Sequence, residues 1–369
     1  MEIKRRKTRQ VRVGDVRVGG GAGVSIQSMV KAESADVKAV VSQIKALESC
    51  GCEIVRVAVK TFDDADAIRL IKKRTNIPLV ADIHFDYRLA IRSIAGGADK
   101  IRLNPGNIRS RGEIAQVIRA AKSSRIPIRI GVNSGSVMSR SQAADRRPQT
   151  DNRKPITENR KPTMAGHLVD AALGYVKLFE DLEFRDIIIS LKSSDVASTV
   201  EAYRRIAAKC DYPLHLGVTA SGPYDSGIVK SSMGIGALLL DGIGDTIRVS
   251  LTASPIEEVI AAKRILSALG IRRSGPEIIS CPTCGRCQVN LMKIVSELEK
   301  RLYAIRYTLY ANRFATIALM GCEVNGPGEA SAADIGIAFG KSTGMLFKKG
   351  KIVKRVKAKD AVRELIRNL

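Results

Sequence analysis

The residues of this chain that could do chemistry gather in two places. One is Cys281-Pro-Thr-Cys284-Gly-Arg-Cys287, answered farther along by Gly321-Cys322-Glu323-Val-Asn325-Gly-Pro-Gly328-Glu329. Thiols three positions apart can grip one metal centre from a tight turn, and Gly285 eases the bend. Turn residues packed around Cys322 and Glu329 suit a loop that wraps a cofactor. Spacing alone leaves three readings open. Paired cysteines suit a structural zinc ion. Cys281, Cys284 and Cys287 form a C-x2-C-x2-C run of the ferredoxin type, which suits a [4Fe–4S] cluster. Cys281, Cys284 and Cys322 with Glu329 make the third set. Cys50, Cys52 and Cys210 lie beside apolar segments and read as buried thiols.

The other place is a series of polar residues at the ends of short apolar runs: Arg56, Asp82, His84, Arg102, Asn104, Arg129, Asn133, Lys192, His215, Arg248 and Ser250. Taken singly, each fits a satisfied core residue or a solvated charge. Together, Arg56, Arg102, Arg129, Lys192 and Arg248 would repel one another unless an anion neutralised them, and a diphosphate would do so through bidentate contacts. Asp82, His84 and His215 also match a two-His-one-carboxylate iron site. That reading is weaker, because the cysteines already supply a site for redox chemistry.

These residues need a scaffold that brings eight chain segments to one face. Through residue 270 a β-branched run followed by a helical stretch repeats eight times. The strands are expected at 24–28, 54–59, 78–83, 100–103, 127–132, 187–191, 214–218 and 246–251. The helices are expected at 36–49, 63–74, 86–95, 111–123, 165–182, 196–209, 227–240 and 255–268. In the first helix Val37, Val40, Val41, Ile44 and Leu47 share one face. Eight such units favour a closed (β/α)8 TIM barrel over an open doubly wound sheet. A barrel would also place the polar residues at its functional, C-terminal face. The barrel is expected over 1–268. A low-complexity tandem repeat interrupts it at 140–163, read as a tolerated surface insertion rather than a lid. After a linker at 269–277, a smaller α+β domain is expected over 278–369. Its elements are a helix at 288–302, strands near 315–320 and 334–339, and a helix at 358–368.

Composition excludes several functions. The formal net charge is +24, which favours anionic ligands. Lys4-Arg5-Arg6-Lys7-Thr8-Arg9 resembles a nucleic-acid-binding arm in isolation. Yet aromatics are only 4 % of the chain and Trp is absent, so stacking platforms for bases are lacking. No apolar run reaches the roughly 18–20 residues of a membrane span, and the start lacks a secretory signal. A cytoplasmic protein with reduced cysteines is expected.

The motifs together resemble the bacterial 4-hydroxy-3-methylbut-2-enyl diphosphate synthases of the methylerythritol phosphate route to isoprenoids. The resemblance rests on residues 5–10, Ile54-Val-Arg-Val57, Val80-Ala-Asp-Ile-His-Phe-Asp86, Arg102-Leu-Asn-Pro-Gly-Asn107 and Ile128-Arg-Ile-Gly-Val-Asn133. It continues through His215-Leu-Gly-Val-Thr219, residues 242–250, Cys281-Pro-Thr-Cys284 and Asn325-Gly-Pro-Gly-Glu-Ala330. It implies a barrel followed by a sulfite-reductase-like iron–sulfur domain. It also implies a [4Fe–4S] cluster on Cys281, Cys284 and Cys322 with Glu329 as fourth ligand. The implied reaction is a two-electron reductive ring opening of methylerythritol cyclodiphosphate with loss of water. Flavodoxin or ferredoxin would donate the electrons, and the barrel cations would hold the diphosphate. Glu329 and Asn325 are the candidate catalytic residues. A head-to-tail homodimer is expected, because the short linker strains a return to the chain's own barrel mouth. The chain departs from the family in the extra thiol of Cys287, the long repeat, and Ala220, where the family carries Glu. Asp225 is the nearest acidic substitute. The alternative is a zinc-containing, non-redox barrel that binds phosphorylated ligands.

Overall fold

The computed structural model of the chain describes residues 3–104, 107–108, 110–135, 163–273, 275–305, 316–324 and 326–369. The chain divides into two compact units, Met1–Arg272 and Arg273–Leu369. The repeat expected at 140–163 lies outside the described residues apart from Thr163, and Asn325 also lies outside them.

The first unit opens with a hairpin that the sequence reading does not anticipate, β1 (Gln10–Val13) paired antiparallel with β2 (Val16–Gly19). Gly14 starts its two-residue turn at φ +55°, a backbone state glycine adopts without penalty. The parallel strands follow: β3 (Ser25–Met29), β4 (Ile54–Val59), β5 (Leu79–Ile83), β6 (Lys100–Leu103), β7 (Ile128–Asn133), β8 (Ile187–Lys192), β9 (His215–Leu216) and β10 (Thr246–Ile247). Each is followed by a helix: α1 (Val37–Ser49), α2 (Phe62–Lys72), α3 (Tyr87–Ala95), α4 (Arg111–Ser124), α5 (Met164–Asp181), α6 (Val196–Ala207), α7 (Tyr224–Leu240) and α8 (Pro255–Ala268).

The strands run β8-β7-β6-β5-β4-β3-β10-β9, and a bridge from Ile189 to Leu214 ties β8 to the chain entering β9. The sheet thus curls almost completely round, as the eightfold pattern predicts. Local sequence sets the helix starts. Thr61 with Asp64, Ser110 with Glu113, and Ser254 with Glu257 form reciprocal capping boxes. β9 and β10 are shorter than expected. Gly217 follows β9 so close to the neighbouring chain that a Cβ there would lie 2.5 Å from the Arg248 carbonyl oxygen.

The two ends of the barrel differ in chemistry. At the end where the strands begin, Val11, Val13 and Val18 of the hairpin pack on Ile54, Val80 and Ile188 in one buried apolar cluster. Side chains two residues along a strand share its face, and Arg56, Asp82 and Ser190 line a cavity at the opposite end. The hairpin therefore stoppers one end. The basic N-terminal run straps that end down. Arg5 reaches the Gly244 carbonyl at 3.1 Å and Asp245 at 3.2 Å, Arg6 donates to the Tyr212 carbonyl at 2.6 Å, and Arg9 pairs with Asp211 at 2.8 Å.

The second unit is a five-stranded mixed sheet in the order β11 (Glu277–Ser280), β12 (Thr316–Met320), β13 (Ile335–Phe339), β14 (Thr343–Lys348), β15 (Lys351–Lys357). The first three are mutually parallel and the last two antiparallel. β11, β14 and β15 go beyond the two strands expected. β11 has only four residues, and β14 and β15 mix apolar residues with Lys, so alternation is hard to see. Ile317, Leu319, Ile335, Ile337 and Phe339 face one core with residues of α9 (Leu291–Ile305) and α11 (Ala361–Asn368). Ala318, Met320 and Ala338 face another with Ala330 of α10 (Gly326–Ala332). Among the described residues no helix is long and apolar enough to cross a membrane.

Ile54 is fully buried under the hairpin. Ile54→Ala should destabilise the barrel by about 2–5 kcal/mol through lost transfer energy and a residual cavity. The loss should appear as a lower denaturation midpoint.

Candidate active site

The strand ends at the open face bring most of the predicted polar residues around one cavity of about 90 Å3. Its walls include Arg56, Asp82, His84, Arg102, Arg129, Asn133, Lys192, Arg248 and Ser250. Alternation within strands explains part of the set: Arg129 and Asn133 are four apart on β7 and so point to the same side, while His84, Arg248 and Ser250 lie just past the ends of β5 and β10. Two glycines make room for the long cations. A Cβ on Gly131 would lie 2.6 Å from Arg102 Nε, and one on Gly217 would lie 2.8 Å from Lys192 Nζ.

Asp82 anchors one side. Its carboxylate lies 3.2 Å from Arg102, 3.5 Å from Arg56 and 3.6 Å from His84. Arg102 Nη1 also approaches His84 Nε2 at 3.0 Å. Burial opposes the charge on Asp82. Arg56, the His84 hydrogen bond and Arg102 outweigh it and hold the carboxyl well below the usual carboxylate range. A depressed acid contributes stability above its unfolded value and loses it as pH falls through the folded one. Asp82 therefore stays ionised in all but strong acid. Arg56 Nε, the atom that faces Asp82, and Nη2 also donate to the Met29 thioether, at 3.2 and 2.8 Å, which is a weak acceptor.

The other cations are less well compensated. Among the described residues Arg129 and Lys192 form no ion pair, and Arg129 Nε and Nη1 are buried without a hydrogen-bond partner. Burial first, and then neighbouring cations, push Arg129 and Lys192 well below their usual values. Arg248 is pushed down to about 10, by burial and then Arg56. Among the described residues Arg129 and Lys192 lack an acidic partner, and an anion bound between them would favour their charged forms.

Two predicted residues do not line the cavity. Asn104 is buried at the end of β6. His215 is fully buried inside the barrel on β9, level with Thr246 and so two residues below Arg248 on the neighbouring strand. Its ring nitrogens have no partner, and burial followed by Lys192 and Arg129 holds it well below the ordinary histidine range. The sequence reading missed Ser190 and Thr219 in the wall, and Lys100 beneath it. Parity would have found two of them. Ser190 precedes Lys192 by two on one strand, and Lys100 precedes Arg102 likewise. Lys100 is fully buried, 3.4 Å from Gln27 Oε1. Glu258 was missed for another reason: it stands on a helix, outside any strand pattern. Ala220, next to Thr219, is exposed and holds φ +50°, an uncommon state for a residue with a Cβ. Asp225 is exposed in the first turn of α7.

The second unit carries the cysteine loops where its parallel strands end. Cys281 follows β11, and Gly321-Cys322 follows the neighbouring β12. The Gly321 amide donates to Cys281 Sγ at 3.2 Å. A Cβ on Gly321 would lie 2.4 Å from Cys287 Sγ and 3.4 Å from Cys281 Sγ, so the bare glycine leaves space where two sulfurs meet. Cys284 is exposed, and none of these cysteines is joined in a disulfide. Glu329 is exposed in the first turn of α10. Among the described residues no three His, Cys, Asp or Glu side chains lie close enough together to hold an ion.

Two family models match the chain, one per unit. The GcpE TIM-barrel domain matches residues 8–263 and the GcpE protein C-terminal domain residues 277–369. Curated relatives match end to end. A protein of Thermodesulfovibrio yellowstonii is 50 % identical over 367 residues, covering 100 % of this chain and 99 % of its own length. One of Clostridium perfringens is 50 % identical over 365 residues, covering 99 % of each. Both are named 4-hydroxy-3-methylbut-2-en-1-yl diphosphate synthase (flavodoxin).

Independently of kinship, Lys192→Met should have opposite effects on binding and stability. Losing a charge-assisted contact should weaken inorganic pyrophosphate binding by about tenfold or more, measured calorimetrically. Removing a buried, uncompensated charge should raise the ligand-free melting temperature.

Proposed function

The chain belongs to the GcpE family, and from that membership we infer that it acts as a 4-hydroxy-3-methylbut-2-en-1-yl diphosphate synthase. In this reading it is an iron–sulfur oxidoreductase of isoprenoid biosynthesis with flavodoxin as electron donor. The reaction opens the ring of methylerythritol cyclodiphosphate with two electrons and releases water. The observation that carries the reading is end-to-end identity of about half to synthases so named. A zinc-containing, non-redox barrel does not account for that kinship.

The barrel residues would bind and orient the substrate. Arg129 and Lys192, lacking acidic partners, would take the diphosphate oxygens. Arg56 and Arg102, steadied by Asp82, would fix its direction. The cavity of about 90 Å3 equals roughly three waters' share of liquid volume, enough for a phosphoryl group at its floor. His84 is partly exposed at the rim, where it could hold or pass a proton near the carbon skeleton.

The cysteine loops fit a [4Fe–4S] cluster. Soft thiolates suit iron–sulfur centres, the Gly321 amide supplies the N–H···S bond that tunes them, and the glycine leaves room between sulfurs. A cluster bound there would deliver the two electrons one at a time. We assign its ligands as Cys281, Cys284, Cys322 and Glu329, with Glu329 and Asn325 as the catalytic residues. Cys322→Ser should lose iron and acid-labile sulfide under anaerobic purification, while Cys287→Ser should retain both. Loss in Cys287→Ser with retention in Cys322→Ser would replace this ligand set with the local C-x2-C-x2-C run.

Substrate-binding and cluster-binding residues lie in separate compact units, and we propose that a cytoplasmic homodimer combines them across subunits. Mixing Arg56→Ala chains with Cys322→Ser chains should then restore activity by forming one intact composite site. Verified heterodimers without activity would rule out sharing.

A further inference from the structure

We propose that Glu258 is a positioning residue of the anion site and acts through Arg248. This rests on the reading of the barrel mouth as a diphosphate site. Glu258 stands in the first turn of α8, where neighbouring acidic residues have different tasks. Glu257 turns back to accept from the Ser254 amide at 3.0 Å and completes the helix cap. Glu258 turns inward and is 2 % exposed. Its Oε1 accepts from the Leu251 amide at 3.0 Å and faces Lys31 Nζ at 3.2 Å. Its Oε2 accepts from Ser28 Oγ at 3.3 Å and from Arg248 Nη2 at 3.5 Å.

A carboxylate so deeply buried is costly unless its charge has a use. The Leu251 amide and the Ser28 hydroxyl need only a neutral oxygen. Lys31 does not require the charge either, because its ammonium is partly exposed and also donates to the Leu251 carbonyl at 2.9 Å and to the Ala253 carbonyl. Arg248 is different. It lines the cavity, its Nε is buried with no partner, and among the described residues Glu258 is its acidic partner. The first turn of a helix also favours a negative charge there.

The arrangement matches that of Asp82. One buried carboxylate steadies Arg56 and Arg102, a second steadies Arg248, and Arg129 and Lys192 stay uncommitted. Glu258 therefore fixes which guanidinium edge Arg248 offers to a ligand, without touching the ligand itself.

A double-mutant cycle on the full-length protein tests this, with inorganic pyrophosphate as probe and calorimetric affinity as readout. Glu258→Gln keeps the volume and the acceptor oxygen while removing the charge. Arg248→Ala should weaken binding by about tenfold or more, and Glu258→Gln by a comparable factor. The double variant should bind within about twofold of Arg248→Ala alone, because the second change has nothing left to act through. A purely structural Glu258 would instead multiply the two losses, and that result would overturn the proposal. So would Glu258→Gln binding as tightly as the parent or tighter, which would make Glu258 a competitor of the ligand. If the parent did not bind pyrophosphate, or if Arg129→Ala and Lys192→Met bound it as tightly as the parent, the diphosphate site itself would be wrong, and this role with it.

Discussion

Most of the barrel is arranged around one electrostatic problem. Arg56, Arg102, Arg129, Lys192 and Arg248 all wall one small cavity, Lys100 lies buried beneath it, and Asp82 and Glu258 are the buried carboxylates paired with members of the set. At close range in a medium of low dielectric constant, such repulsion exceeds what a few hydrogen bonds return. The fold tolerates it because the surrounding apolar core is large. The same imbalance that weakens the barrel would favour an anion bound among these side chains.

The cost is contained by geometry. Glycines at 131 and 217 let Arg102 and Lys192 lie along the inner wall where any side chain would collide. The hairpin closes the far end with valines, so apolar packing is concentrated where no chemistry is needed. On β4, β5 and β8 the apolar and polar ends of the barrel are two residues apart, the shortest distance that keeps side chains on one face.

The repeat of strand and helix, and with it the barrel, was legible because burial on both faces writes continuous β-branched runs, and capping residues mark each helix start. The mouth was legible at Arg56, Asp82, Arg102 and Lys192, polar residues that interrupt or end such runs. Lys100 was passed over because it begins its strand, and His215 was placed too high because a two-residue strand gives little register. Glu258 carries no local signal: its role depends on a helix turning it toward a strand ten residues earlier. The hairpin was hidden by its short, charged strands. In the second unit the cysteine spacing suggested a metal centre, but spacing says nothing of the glycine that leaves room between the sulfurs.

The N-terminal strap has a practical consequence. Residues 4–9 are not a free tail. The Lys4 carbonyl lies so close to Gly242 that a Cβ there would approach it to 2.2 Å, and Arg6 is hydrogen-bonded to the loop that leads into β9. A purification tag or fluorescent fusion attached ahead of this segment would emerge at the stoppered end, on the opposite side from the cavity. Trimming the basic run to improve expression would remove a clasp holding the loops before β9 and β10, the two shortest staves of the barrel.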